Sequence, residues 1–316
     1  MAGSSSKQPR SSYATGVLLG IAAYAMWGVF PLYWPLLEPA SALEILAHRF
    51  LWSLVFLVLL LTVTRGWGRL REQLRRGRSV RLLGLAAVLV AVNWGTYIWA
   101  VNAGHVVEGS LGYFINPLVS VLLGVVVLRE RLRPLQWTAF GVAAFAVAVL
   151  TLGYGRLPWI ALVLALSFGL YGLTKKLADV PAVESLTIET AYAFPVALGY
   201  LVWLEVTGAA AFGQVSWGNT VLLALTGVVT ALPLLAFGGA VIRVPLSMMG
   251  LLQYLTPVLQ FAIGVAIFHE PMPPLRWAGF AIVWLALVIF SIDAWRHARA
   301  QSAARRIDEL EVAEPL

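Results

Sequence analysis

Arg49 and Glu189 carry opposite charges inside otherwise apolar stretches, and a register shift of 140 residues brings one onto the other. An isolated charge in hydrocarbon costs at least about 2.5–3.5 kcal/mol on insertion scales, so each should face a partner, water or a ligand. Arg49 has the chemistry to hold a carboxylate or another anionic group. Glu189 can carry a proton, and Glu44 with His48, one helical turn further on, either shares that traffic or marks a helix entrance. Tyr113, Asn116 and Ser120 are spaced i, i+3, i+7, and the same shift carries them onto Gln253, Thr256 and Gln260. Two matched polar stripes imply two helices facing a common centre, with Tyr254 beside one of them. Asn93 and Tyr97 form an i, i+4 pair, and Tyr24, Trp27 and Pro31 form a further stripe, offering ring faces together with hydrogen-bond donors. Pro117 and Pro257 lack the amide a helix needs, so each kinks its helix and frees a carbonyl for a side chain, water or substrate. The chemistry on offer is recognition of a small amphipathic molecule. The same residues admit a structural reading, with Asn116 and Gln253 as bonds between helices and Arg49 and Glu189 as snorkelling groups or a static ion pair.

The elements holding these residues must be membrane-spanning helices. The chain is 60% hydrophobic and only 12% charged, with a mean hydropathy of +0.84. Its apolar runs are continuous over about 20 residues, as an all-α polytopic protein requires and a β-barrel does not. The net charge of +7 needs no nucleic-acid partner, because membrane proteins gather Lys and Arg in cytoplasmic loops. With no Cys, disulfides, thiolate chemistry and sulfur-ligated metals are excluded.

Ten spans are expected, at 13–37, 42–63, 82–102, 107–128, 135–153, 157–174, 182–204, 217–242, 245–268 and 275–295. The 140-residue shift also matches Gly124 with Gly264, Glu130 with Glu270, and Trp137 with Trp277, so the chain reads as one five-helix unit used twice. The domains are then a disordered cytoplasmic tail at 1–12, repeats at 13–154 and 155–295, and a cytoplasmic tail at 296–316. A cytoplasmic N-terminus puts Lys7, Arg10, the seven Arg residues from Arg65 to Arg81, Arg129, Arg131, Arg133, Lys175, Lys176 and Arg243 inside. Outer loops keep only Arg156 and Arg276, so the positive-inside rule places both termini in the cytoplasm. Five helices being odd, the second unit enters upside down, an arrangement of transporters with a mid-membrane site. Trp34, Trp67, Trp159, Trp217 and Trp295 fall near span ends and are assigned to the interfacial belt. Glu130 and Glu270 are read as holding tight turns. The segment from Arg65 to Arg81 can form a short amphipathic helix, with Trp67, Leu70 and Leu74 against anionic lipid.

Catalytic signatures are missing. There is no Gly-Lys-Ser/Thr phosphate loop, no Gly-x-Ser-x-Gly, no His-Glu-x-x-His, and four scattered His have no metal-ligand spacing. No cofactor is expected. An intramembrane enzyme would need a nucleophile and base at one depth, and a non-transporting scaffold or sensor remains the other alternative.

The Pro-bearing helix followed by Glu130, Leu135-Gln136-Trp137 and Gly141 resembles the EamA-type half-domain of the drug/metabolite transporter superfamily. Glu44-x-x-x-His48-Arg49 with Asn93-Trp94-x-x-Tyr97-x-Trp99 resembles its RarD branch. The second copy departs from the half-domain at Arg276 and Ala281, where the first has Gln136 and Gly141. The resemblance implies a ten-helix bacterial inner-membrane permease with a central cavity. Its partners would be a small-molecule substrate, the lipid bilayer and candidate coupling protons.

Overall fold

Helix boundaries in this computed structural model follow local chemistry. Described are residues 10–102, 106–152 and 158–267, with scattered positions from 277 to 296. They contain α1 (Arg10–Gly28), α2 (Ala42–Val63), α3 (Trp67–Arg75), α4 (Gly77–Asn102), α5 (Val106–Val126), α6 (Pro134–Leu152), α7 (Trp159–Ala178), α8 (Ala182–Thr207), α9 (Trp217–Val241), α10 (Leu246–Leu252) and α11 (Leu255–Ala266). Ser41 caps α2 by accepting from the Glu44 amide (3.2 Å), and Ser216 caps α9 by accepting from the Asn219 amide (3.1 Å). Asp179 and Gly208 stop α7 and α8 in left-handed conformation, at φ of 48° and 69°.

The fold is all-α and polytopic, and six of the described helices are long and apolar enough to cross a membrane. Helix α1 begins at Arg10, inside the expected tail, and ends at Gly28; two 3-10 turns, Phe30–Leu32 and Trp34–Leu37, then replace the last third of the expected first span. Both turns have Pro near their start, at Pro31 and Pro35, where the missing amide costs least. The expected span at 245–268 is two helices. Pro257 cannot donate to the Gln253 carbonyl, so the Thr256 amide takes it instead (3.1 Å), and the tighter turn separates α10 from α11. Pro117, its counterpart under the register shift, lies within an unbroken α5. Residues 1–9 and 297–316 of the expected tails lie outside the described residues, as do Glu270, Arg276, Trp295 and about half of the expected span at 275–295.

Two compact units divide the chain, one of residues 1–130 with 157–271 and one of 131–156 with 272–316. In the first, α5 and α4 pack on α7, α2 and α1 on α9, α2 on α8, and α10 on α5. At Gly227 a Cβ would overlap the Trp52 backbone of α2, and the Ser53 hydroxyl donates to the Gly227 carbonyl at 3.0 Å. Helices α2 and α9 therefore touch backbone to backbone, as small residues permit in membranes. In the second unit, Gln136 caps α6 by accepting from the Arg133 amide (2.9 Å), and Arg133 pairs with Asp293 at 2.5 Å.

Candidate binding cavity

A cavity of about 420 Å³ lies in the first unit, walled by α1, α2, α4, α5, α7, α9 and α11, by the two 3-10 turns and by Gln253 between α10 and α11. Its deepest polar residues, Asn116 and Gln253, come from the middle of α5 and from the break before α11. It then rises past Arg49 to Trp34 and Ala42, where α2 begins.

Among the described residues, Arg49 is the only charged one lining it. Its guanidinium carbon stands 4.0 Å from the ring centroid of Trp94 and 5.1 Å from that of Trp34, and its Nε donates to the Thr230 hydroxyl at 2.9 Å. Cation–π attraction and one directional bond hold the plane of the group, and among the described residues no carboxylate pairs with it. Asn116 and Gln253 are buried, and their Oδ1 and Oε1 atoms accept no hydrogen bond from the described protein atoms. Two acceptors facing a cavity without donors are costly unless a ligand or water supplies N–H or O–H groups. Tyr24, Trp27 and Phe168 form an aromatic wall, with Trp27 5.6 Å from Tyr24 and 5.7 Å from Phe168 between centroids. Tyr97 and Tyr113 meet edge to face at 5.8 Å across the cavity.

Other expected residues line the cavity while tying helices together. Asn93 donates to the Leu164 carbonyl (2.8 Å) and the Ser167 hydroxyl (3.0 Å), Thr256 to the Tyr24 carbonyl (2.9 Å), and Gln260 to that of Trp27 (3.3 Å). Pro257 lines the wall next to them.

Several expected site residues stand elsewhere. Glu189 accepts from Lys175 (2.6 Å), Tyr171 (2.9 Å) and Ser185 (2.7 Å), in a buried network behind the cavity wall. Tyr254 is fully buried, its hydroxyl 3.4 Å from the Phe114 carbonyl. Pro117 packs its carbonyl against Gly250 of α10. Glu44 accepts from the amides of Ala211 (2.7 Å) and Phe212 (3.1 Å), fastening the turn before α9. His48 accepts from Trp52 and lies over the Phe212 ring at 4.7 Å. Glu130 accepts from the amides of Leu246 (2.7 Å) and Ser247 (2.8 Å), so the turn after α5 caps α10.

Two sequence assignments are corrected. Trp34 is a cavity residue stacked over Arg49, because the 3-10 turns fold back over the start of α2. Lys175 is not in a loop: it is buried on α7, one turn after Tyr171, where Glu189 of α8 compensates its charge. The sequence shows Trp94 only as part of the RarD-like pattern and gives no sign of Phe168 or Thr230 as site residues. The position of Trp94 one residue after Asn93 is the signal that places it beside the cavity. Thr230 carries no local signal.

Apolar helices around a mostly apolar cavity, whose one charged lining residue among those described has no carboxylate partner, fit a class of protein, the polytopic membrane carrier. The sequence profile of the EamA-like transporter family matches residues 14–152. Protein RarD of Streptomyces exfoliatus is 58% identical over 92% of this chain and 92% of its own length. The uncharacterized transporter YojE of Bacillus subtilis (strain 168) is 45% identical over 91% of this chain and 97% of its own. A protein crystal structure superposes with a TM-score of 0.69 at 18% identity, covering 90% of this chain and 98% of that one, and so shares the fold. The chain belongs to the RarD branch of the EamA-type drug/metabolite transporters. It is a multi-pass protein of the bacterial inner membrane and a secondary transporter of a small metabolite or drug-like molecule, in a family of transporters rather than enzymes.

Proposed function

We propose that the chain works by alternating access, with ten spans in two inverted five-helix repeats at 13–154 and 155–295, both termini cytoplasmic, and the solute held in the cavity beside Arg49. The observation that carries this reading is Arg49 itself: a half-buried guanidinium clamped by Trp34 and Trp94, lining the cavity without a carboxylate partner among the described residues. An uncompensated cation at membrane depth is costly, and an anionic group on the solute offsets that cost. The free acceptors of Asn116 and Gln253 suit N–H or O–H donors, and the Trp27 and Phe168 rings suit an apolar body. The solute class is therefore amphipathic, with an anionic end, a donor group and a ring or branched apolar part. Under the proposed orientation the cavity faces outward, and the Glu130 cap on α10 belongs to the closed cytoplasmic side.

For coupling, Glu189 is the candidate proton carrier ahead of Glu44 and His48. Its carboxylate is held by a lysine and two hydroxyls, and Thr230 borders both its pocket and Arg49. Glu44 instead fastens backbone amides. The test is counterflow in proteoliposomes with a panel of anionic, zwitterionic and neutral solutes, for the wild type and for Arg49→Ala and Asn116→Ala. Loss of flux in both variants, at unchanged amounts of membrane protein, supports the site; unchanged flux in both refutes it.

A further inference from the structure

Away from the cavity, a groove of about 730 Å³ runs along the outside of the first unit. Leu19 and Met26 of α1 and Leu232, Leu235 and Ala236 of α9 give it an apolar wall and floor, and residues 181–184 at the start of α8 give the other wall. One end is basic. Arg243, in the turn after α9, and Arg69, on α3, both line it. Arg243 donates from Nη1 to the Gly239 carbonyl at 2.7 Å and meets no carboxylate among the described residues. Arg69 donates from Nε to Glu184 at 2.8 Å while its side chain stays 59% exposed. Each guanidinium has five donors in a planar fork, so most remain for a ligand. Two cations against one carboxylate leave that end net positive.

Helix α3 fixes the depth of this end. Leu70 is buried against the fold while Trp67 and Leu74 are 40% and 51% exposed, and Arg71 and Arg75 point to solvent. Such a short basic amphipathic helix lies in the membrane interface, which sets Arg69 and Arg243 at headgroup level and the Leu19–Met26 wall among acyl chains. Leu19 and Met26 stand two turns apart on α1, about 10 Å of helix along which a chain can lie.

We infer that this groove is a binding site for a phospholipid with a net anionic headgroup, its phosphate held by Arg243 and Arg69 and one acyl chain lying on Leu19, Met26 and Leu232. A zwitterionic lipid brings its own cation to the same arginines and is disfavoured. The inference requires only that the chain is a membrane protein, so it stands or falls independently of solute transport.

Native mass spectrometry of the purified full-length chain tests it, with phosphatidylglycerol, phosphatidylethanolamine and inorganic phosphate as probes. The wild type should retain phosphatidylglycerol about tenfold or more in preference to phosphatidylethanolamine, at roughly 1 kcal/mol per basic residue near an anionic lipid. Arg69→Gln with Arg243→Gln should abolish the preference, whereas Arg75→Gln, outside the groove, should keep it. Leu232→Trp, which fills the groove without touching either guanidinium, should weaken lipid retention as well, so the result does not hang on the arginine variant folding. Equal retention of both lipids by the wild type would overturn the site. So would wild-type retention by Leu232→Trp, or binding of inorganic phosphate that survives Leu232→Trp, which would make the basic end a free-anion site.

Discussion

Replacing Arg49 by lysine keeps the charge and removes the geometry, which makes it the sharpest probe of the cavity. The guanidinium plane lies between two indoles, 4.0 and 5.1 Å from their centroids, and spends one donor on Thr230 at 2.9 Å. The rest of its fork can meet a solute carboxylate through two parallel bonds, whereas an ammonium offers a point charge and no plane to stack. Losing one charge-assisted bond costs about 1.5 kcal/mol, and the weaker stacking adds about 0.5 kcal/mol. At 1.4 kcal/mol per tenfold, Arg49→Lys should weaken affinity for an anionic solute roughly 30-fold. Arg49→Ala forfeits both bonds, about 3–4 kcal/mol, and should weaken it several hundred-fold. Ligand-induced thermal shifts identify a binding solute, and equilibrium binding in detergent then gives the ratio for each variant. Wild-type affinity in Arg49→Lys for a solute that depends on its carboxylate would refute the bidentate reasoning, and wild-type affinity in Arg49→Ala would remove Arg49 from the site.

Other perturbations test the fold that holds the cavity. Gly227→Ala sets a Cβ into the Trp52 backbone and should lower the unfolding temperature by the equivalent of about 1–3 kcal/mol, whereas Gly199→Ala, with open space around it, should change little in the same thermal scan. Lys175→Met strands the buried Glu189 carboxylate and should cost about 3–5 kcal/mol; adding Glu189→Leu should recover most of that, and a double variant no more stable than the single one would mean the pair is not the reason for the loss. Glu130→Ala removes the acceptor of two α10 amides, so hydrogen exchange at Leu246–Leu252 should rise well above the change elsewhere in the chain.

Composition and the register shift carry most of what is legible in the sequence. Continuous apolar runs locate α2, α5, α8 and α9 to within a few residues, because a lipid-facing helix must be apolar along its whole length. The i, i+3, i+7 stripes bring Tyr113, Asn116, Gln253, Thr256 and Gln260 to one cavity, since helical spacing fixes which side chains share a face. What escaped depends on contacts between distant segments. Pro117 and Pro257 match in register, yet only the second separates two helices. Lys175 precedes Lys176 at the end of an apolar run and reads as a loop charge; only its Glu189 partner, on the next helix, allows it to be buried. Trp34 lies between two prolines and reads as belt, and no local pattern shows that its loop closes over Arg49.

The chain has no cysteine, so a single Gln260→Cys substitution puts one thiol on the cavity wall without further engineering. Alternating access through this cavity predicts that a membrane-impermeant thiol reagent labels that position from the outer face, that transported solute slows the labelling, and that modification stops counterflow. Labelling that ignores saturating solute, or full counterflow after complete modification, would contradict it.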